Sequence, residues 1–373
     1  MRFTIEKEGI LKELAKIQNI VDRKTSIPII SNALIDISEN KMTIVATDME
    51  IEMKITVPCE VKEEGKICLP AKKLYEIIRE LPENSIEFIL KDNQRVDIQC
   101  ESSLFTITGS DTSEYPKFST IDTQNLFEIS PQKLNSLIEK TQLSMSNDEK
   151  KHNLNGILFD ISKNGNGNLI ITTVSTDTHR LSITKEEIEE YPSDIKETKV
   201  IIPKKGIMEI KKISENCEST IKMGFQEKSS IIIRENTEII IRNIDADFPE
   251  YQRVIPENTE KFAIIDREQF SRTLRRISTL SSEKYRGIKT TFKDGNVNLY
   301  INNMELGEAT ESIPAEYSGE EETIIYNSRY LLDAVTAYQS PQIRFQFKDD
   351  QSPGIISPTD HPDSKTIIMP MRI

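Results

Sequence analysis

Residues Lys261–Leu280 read KFAIIDREQFSRTLRRISTL. Phe262 and Ile264 alternate as in a strand, and Phe270, Leu274 and Ile277 then recur at i, i+4 and i+7, the spacing of one apolar helix face. The other faces carry Arg267, Arg272, Arg275 and Arg276 against Glu268 alone. The same unit opens the chain at Arg2–Val21, where Phe3 and Ile5 precede Ile10, Leu14 and Ile17. It returns at Leu126–Met145, where Phe127 and Ile129 precede Leu134, Leu137 and Ile138. The spacing from Phe3 to Phe127 is 124 residues and from Phe127 to Phe262 is 135, which predicts three domains of ordinary size in a chain of 373 residues.

Each copy is followed by a predicted antiparallel strand pair. In the first domain it is IISNALIDIS (29–38), a turn and MTIVATDMEIEMKIT; in the second, NLNGILFDIS (153–162) and LIITTVSTDTHRLSIT; in the third, YRGIKTTF (285–292), KDGN and VNLYINNMELGEATESI. Alternation of period two between turn residues is the hairpin signal. A second strand-helix unit follows in each domain, at Ile67–Leu81, Val200–Ile213 and Thr323–Val335, and more strand pairs close it. The expectation is an α+β fold of three similar domains, each a pair of strand-helix-strands half-repeats. Their spans are 1–122, 123–256 and 257–373, with boundaries in the Pro/Ser/Thr/Asp-rich stretch 115–124 and in the segment 256–261.

The sequence has no apolar run of membrane-spanning length, and its N-terminus lacks the apolar segment of a signal peptide, so a cytoplasmic protein is expected. Cys59, Cys68, Cys100 and Cys217 are isolated and predict reduced thiols rather than a metal site or disulfide framework. The formal net charge is −13, which argues against nucleic acid until its distribution is considered. Helices expected at 8–20, 70–81, 131–142, 203–213, 267–278 and 327–338 together carry +8, leaving −21 elsewhere. A helix spends only one stripe on its sheet. Lys204, Lys205, Lys211 and Lys212, like the arginines of the third-domain helix, therefore project away from it. If the helices share one side of the molecule, that side is a polyanion surface inside a shell that repels polyanions; the ordinary alternative is a set of solvated helix faces.

Seven segments, in order over the whole chain, resemble the sliding clamp family, the beta subunit of bacterial DNA polymerase III. They are MRFTIEKEGIL at the start, LPAKKLYEI (69–77), LNGILFDI (154–161), TDTHRLSI (176–183), DFPEYQRVIP (247–256), SSEKYRGI (281–288) and IIMPMRI (367–373). The resemblance implies a DNA clamp fold in which two protomers close head to tail into a ring, helices lining the hole and antiparallel sheets outside. Such a homodimer encircles double-stranded DNA, contacts phosphates without sequence specificity and slides. The DNA-facing residues so implied are Lys24, Lys72, Lys204, Lys205, Lys211, Lys212, Arg272, Arg275 and Arg276.

The resemblance also implies a hydrophobic pocket for short peptides of the replicative polymerase catalytic subunit, the clamp loader complex and other clamp-binding-motif proteins. Its matching positions are Leu154, Thr176, His179, Arg180, Leu181, Pro249, Val254, Ile367, Met369 and Met371. An apolar concavity with adaptable methionines suits such ligands. Thr176-Asp177 echoes Thr47-Asp48 of the first domain, so part of that motif belongs to the fold. The implied dimer interface uses Phe105 and Ile107 of the first domain and Leu280 of the third, with Lys73, Glu305 and Glu308 at its rim. This chain departs from the family at Thr178, where Gly is common, and at Lys151-His152-Asn153, where an Arg and aromatics are common. Ser102 and Leu104 stand where basic residues would face Glu305, Glu308 and Glu311, so burial and strand pairing are expected to hold the dimer.

An enzyme would need a catalytic constellation. The histidines are His152, His179 and His361, and no P-loop, HExxH or GxSxG pattern occurs. The stretch NGNGN (164–168) falls where a hairpin turn is wanted and precedes no helix. The pairs Asp48/Glu50 and Asp245/Asp247 read as carboxylates on wet strand faces rather than a metal site. The sequence therefore predicts a non-catalytic protein with no cofactor and no metal, its ATP use, if any, residing in a partner. The alternative is an acidic, repetitive β-rich scaffold that binds proteins and never DNA.

Overall fold

The computed structural model describes residues 1–21, 27–116, 125–215, 218–256, 259–282 and 286–372. Lys24 and Cys217 lie outside these, as do the expected boundary at 122/123 and residue 257 of the second boundary.

The chain folds as two compact units, Met1–Glu128 with Glu218–Arg242, and Ile129–Cys217 with Asn243–Ile373. Strand pairing explains why these units cut across the sequence repeats. Thr237–Arg242 of the second repeat pairs with Ile51–Pro58 of the first, Thr237 opposite Ile55 and Ile241 opposite Ile51. Arg180–Ile188 of the second repeat pairs with Lys365–Ile368 of the third, Arg180 opposite Ile368. Backbone hydrogen bonds thus make one sheet out of strands from different repeats, and a sheet is not easily divided.

In the first unit a five-stranded sheet runs in the order Glu60–Glu63, Arg2–Glu6, Ser85–Leu90, Arg95–Cys100, Ser103–Thr108, and an eight-stranded sheet extends from Phe127–Ile129 to Gly65–Pro70. Helices α1 (Lys7–Ile20) and α2 (Ala71–Glu80) lie against each other. Ile10, Leu14 and Ile17 of α1 have no exposed surface. The buried Lys7 ammonium holds the pair together at its end, donating to the Leu81 carbonyl just past α2 and pairing with Glu83 at 2.8 Å.

In the second unit a twelve-stranded antiparallel sheet runs from Thr198–Pro203 through the paired Arg180–Ile188 and Lys365–Ile368 to Glu322–Asn327. Against it lie α3 (Pro131–Glu139), α4 (Lys204–Ser214), α5 (Arg267–Ile277) and α6 (Ser328–Thr336), with α3 beside α4 and α5 beside α6. Phe270, Leu274 and Ile277 of α5 are fully buried with Phe292, Phe345 and Phe347, each contributing about 1.5–3 kcal/mol by leaving water. Asp266 caps α5 by accepting the Gln269 N–H at 2.7 Å, and Asn327 caps α6 through Arg329 at 3.0 Å. Where Gly156 pairs with Pro203, a Cβ would meet the Ile202 carbonyl at 2.2 Å, so only glycine fits.

The expected helix at 131–142 is shorter: α3 ends at Glu139, and Gln142–Ser144 forms a separate 3-10 turn. The Thr141 hydroxyl donates to the Leu137 carbonyl at 2.7 Å and the Ser144 hydroxyl meets Ser182 at 2.7 Å, both buried, so polar side chains draw the chain off the helix axis. The NGNGN stretch is the turn between Gly156–Lys163 and Leu169–Thr176. Asn164 Oδ1 accepts the N–H groups of Asn166 and Asn168, and Gly167 takes φ 85°. Among the described residues no helix is long and apolar enough to cross a membrane.

Candidate functional site

The strand Leu169–Thr176 and its partner Arg180–Ile188 are joined by a tight turn at Asp177–His179. Its geometry is written by two side chains. The Thr176 hydroxyl donates to the Arg180 carbonyl at 2.7 Å and accepts the Thr178 N–H, while Asp177 Oδ1 accepts the N–H groups of His179 and Arg180, each at 3.0 Å. Thr47 and Asp48 make the same four bonds to Ile51, Met49, Glu50 and Ile51. Thr176-Asp177 is therefore a fold motif in both repeats, and Asp48 is occupied as a turn former. Beyond these bonds the second-repeat turn has its own surroundings.

Behind that turn opens an apolar concavity of about 210 Å³, floored by Leu181 and Ile367 and rimmed by Pro249, Val254 and Met369. Thr176, Thr178, Arg180, Glu250 and Tyr251 complete its wall. Leu181 and Ile367 are cross-strand neighbours, which brings residues far apart in sequence to one surface. Val254 and Met369 are 47% and 42% exposed, so apolar side chains stand partly uncovered at the mouth. Tyr251 lies edge-on to Phe248 and its hydroxyl reaches Asp160 at 3.4 Å. Burial first, then the Asp160 charge, push its phenol up to about 12, which keeps it a neutral hydrogen-bond donor.

Arg180 braces the wall. It is 9% exposed, donates to Asp177 at 3.0 Å and to Asp333 of α6 at 2.6 Å, and lies over the Tyr330 ring at 4.3 Å. Its charge is spent on the structure, and its carbonyl closes the turn.

Of the residues expected in the pocket, Thr176, Arg180, Leu181, Pro249, Val254, Ile367 and Met369 line one concavity. Leu154 is buried and does not line it; its carbonyl accepts the Ser146 N–H. His179 is exposed and does not line the concavity, and its carbonyl accepts the Met369 N–H at 2.9 Å. Met371 is pinned through its N–H to the Ile325 carbonyl at 2.7 Å. Glu250 and Tyr251 also line the wall; the only sequence signal for them was their position inside DFPEYQRVIP.

The expected DNA-facing residues lie on helix surfaces but are unevenly free. Arg272 is paired with Glu268 one turn earlier, and Arg276 with Glu311 at 3.0 Å. Lys212 is held by Glu209 at 2.6 Å, Lys211 by Glu139 at 3.4 Å, and Lys204 donates to the Asn147 side chain at 2.6 Å. Lys205 is exposed and Lys72 half-buried. Arg275 is exposed and forms no ion pair among the described residues.

Two strand edges carry the residues expected at the dimer interface. Ser103–Thr108 ends the five-stranded sheet, with Leu104 61% and Phe105 41% exposed and Ile107 half-buried. In Gly307–Glu316, residues 307–314 pair only with Asn296–Asn303 among the described residues. Leu280 packs under this edge, and Met304 and Leu306 beside it are 87% and 59% exposed. Lys73 is paired with Glu76 on α2, and Glu305 is exposed. Glu308 accepts from the Tyr300 hydroxyl at 2.7 Å and Glu311 holds Arg276. Two edge carboxylates therefore have partners within their own chain.

These features define the class: an α+β chain of antiparallel sheets and amphipathic helices, folded as two compact units and bearing a small apolar pocket. Comparison with known proteins gives the family. The descriptions "DNA polymerase III beta subunit" N-terminal, central and C-terminal domain match residues 1–119, 128–250 and 252–372. A beta sliding clamp of Caulobacter vibrioides is 32% identical over the full length of both chains. A solved DNA polymerase sliding clamp of Pseudomonas aeruginosa, crystallised with a ligand, superposes with a TM-score of 0.93 at 30% identity, covering both chains completely. A sliding clamp of Bartonella birtlesii, solved bound to griselimycin, gives 0.92 at 29% identity, also over both whole chains. The chain belongs to the DNA polymerase III beta subunit family and has its clamp fold.

Proposed function

We propose that the chain is the sliding clamp of a bacterial replicative DNA polymerase: a non-catalytic processivity factor that encircles duplex DNA and tethers its partners by their peptide tails. The observation that carries this reading is the open apolar concavity behind the Asp177–His179 turn, in a chain that has the clamp fold from end to end. A pocket of this size and chemistry takes a few hydrophobic side chains from a peptide rather than a reacting metabolite. Its occupants are the polymerase catalytic subunit, the clamp loader and other clamp-binding-motif proteins, in the cytoplasm.

Two protomers join head to tail, the apolar edge Leu104–Ile107 of one meeting the open edge 307–314 of the other by strand addition. The three domains span 1–122, 123–256 and 257–373. Burial of Leu104, Phe105, Met304 and Leu306 supplies the association, since Glu308 and Glu311 are already partnered. Molecular mass by light scattering across a dilution series tests this. A dimer near twice 42.7 kDa that persists in high salt and dissociates with Leu104→Asp is expected; a monomer throughout contradicts the ring.

The internal pairing of Arg272, Arg276, Lys211 and Lys212 favours one second reading, an acidic scaffold that binds proteins but not DNA. The two differ in salt dependence: a DNA clamp loses duplex affinity steeply as salt rises, whereas a scaffold has no duplex affinity to lose.

A further inference from the structure

The sequence sets Asn before Gly at 155–156, 164–165 and 166–167. Asparagine is chemically labile in such a pair, because the glycine nitrogen has no side chain shielding it from the asparagine amide carbon. Whether the two atoms meet depends on the local fold, and the three pairs differ in that respect. Gly156 is buried within a strand and packed so closely that a Cβ would strike the Ile202 carbonyl, which fixes the Asn155 pair in place.

Asn164 is half-buried, and its side chain is fully engaged. Its Oδ1 accepts the N–H groups of Asn166 at 3.0 Å and Asn168 at 2.9 Å, and its Nδ2 donates to Glu187 at 2.9 Å. Turning its amide carbon toward the Gly165 nitrogen breaks all three bonds. Asn166 is exposed, and its side chain forms no hydrogen bond among the described residues. Only the backbone of the next residue restrains it: the Gly167 N–H donates to the Asn164 carbonyl at 2.9 Å, and the Gly167 carbonyl accepts from the Tyr191 hydroxyl. Lys163 lies over the Tyr191 ring at 5.5 Å and steadies that clasp.

We infer that Asn166 is a site of spontaneous deamidation, and that the Tyr191 clasp on Gly167 sets its rate. The Gly167 nitrogen gives its proton to water and bonds to Asn166 Cγ; the Cγ–Nδ2 bond breaks, and the amide takes up a proton and leaves as ammonia. Water then opens the succinimide at either carbonyl, giving aspartate or isoaspartate, so water is the sole co-reactant. The step adds a negative charge at the tip of the hairpin. That tip is at the opposite end of Leu169–Thr176 from the Asp177–His179 turn, so the apolar concavity keeps its shape.

The test is peptide mapping by mass spectrometry of the full chain, held folded at mildly alkaline pH and sampled over time, beside the same chain in concentrated urea. The folded chain should convert Asn166 first and Asn164 about tenfold more slowly, with Asn155 intact. In urea Asn164 and Asn166 should convert at similar rates, since their difference belongs to the fold. Tyr191→Phe removes one hydrogen bond from the turn and should speed Asn166 conversion about fivefold, with an unchanged circular dichroism spectrum. Conversion of Asn164 ahead of Asn166 in the folded chain, an Asn166 that survives there while it reacts in urea, or a Tyr191→Phe rate equal to wild type would each overturn the inference.

Discussion

Arg180 donates to Asp333 at 2.6 Å while its guanidinium lies over the Tyr330 ring at 4.3 Å. A turn of the second sequence repeat is thereby fixed to α6 of the third, and the pocket wall that Arg180 closes is held rigid. Removing one member of so enclosed a pair leaves the other uncompensated. Arg180→Ala should cost about 3 kcal/mol in denaturant unfolding and weaken peptide binding more than about tenfold. Arg180→Lys should not restore it, because an ammonium cannot span both carboxylates and stack on the ring. Unchanged binding by Arg180→Ala would show that the wall stands without this brace.

The exposed arginines of α5 differ in what they can offer a phosphate. Among the described residues Arg275 forms no ion pair, whereas Arg276 must first leave Glu311. Binding to a short duplex, followed over a range of salt, should lose about one unit of log–log slope with Arg275→Ala and less with Arg276→Ala. Adding Glu311→Gln to the wild type should release Arg276 and strengthen binding. Equal effects of the two alanine variants would mean that the Glu311 pair does not persist in solution.

Thr178 and Met49 occupy equivalent turns at φ 80° and 78°. Glycine at either position should relieve the strain and stabilise the chain by about 1 kcal/mol, read as a rise in urea midpoint. The Thr178 change should also alter peptide preference, and the Met49 change should leave it intact.

Buried phenols set the alkaline limit. Burial raises Tyr115, Tyr326 and Tyr338 well above the usual phenol range and Tyr251 to about 12. A phenol raised in the folded state favours folding fully below its unfolded value of about 10, and that contribution is lost as pH climbs toward the folded values. Urea midpoints should hold from pH 8 to about 10 and fall above it, with phenolate absorbance rising together with unfolding. Phenolate formation well before loss of structure would contradict this.

The helices were legible because their signal is local. Phe270, Leu274 and Ile277 mark a face by spacing alone, and the structure buries all three. The hairpins, including the NGNGN turn, were legible for the same reason. Partnerships between distant residues were not. The Arg272–Glu268 pair can be read at i, i+4, but Glu311 arrives at Arg276 from a strand, so the charge count of α5 overstated its free charge. The pocket came from resemblance and not from pattern: Leu181 and Ile367 meet only because Arg180–Ile188 and Lys365–Ile368 pair across repeats. Glu250 and Tyr251 had no signal beyond their place in DFPEYQRVIP, since it is a short 3-10 turn over Tyr251–Val254, with Glu250 at its start, that puts them on the wall.

The central claim is topological, and the measurement that tests it most directly is retention on circular DNA. The protein is loaded onto a nicked circular duplex with a bacterial clamp loader and ATP, separated by gel filtration in high salt, and the circle is then cut once. The account predicts that the chain stays with the intact circle and departs after the cut, because a closed ring is held by linkage and phosphate contacts are screened. Retention on the linear molecule, or release from the intact circle, would contradict it.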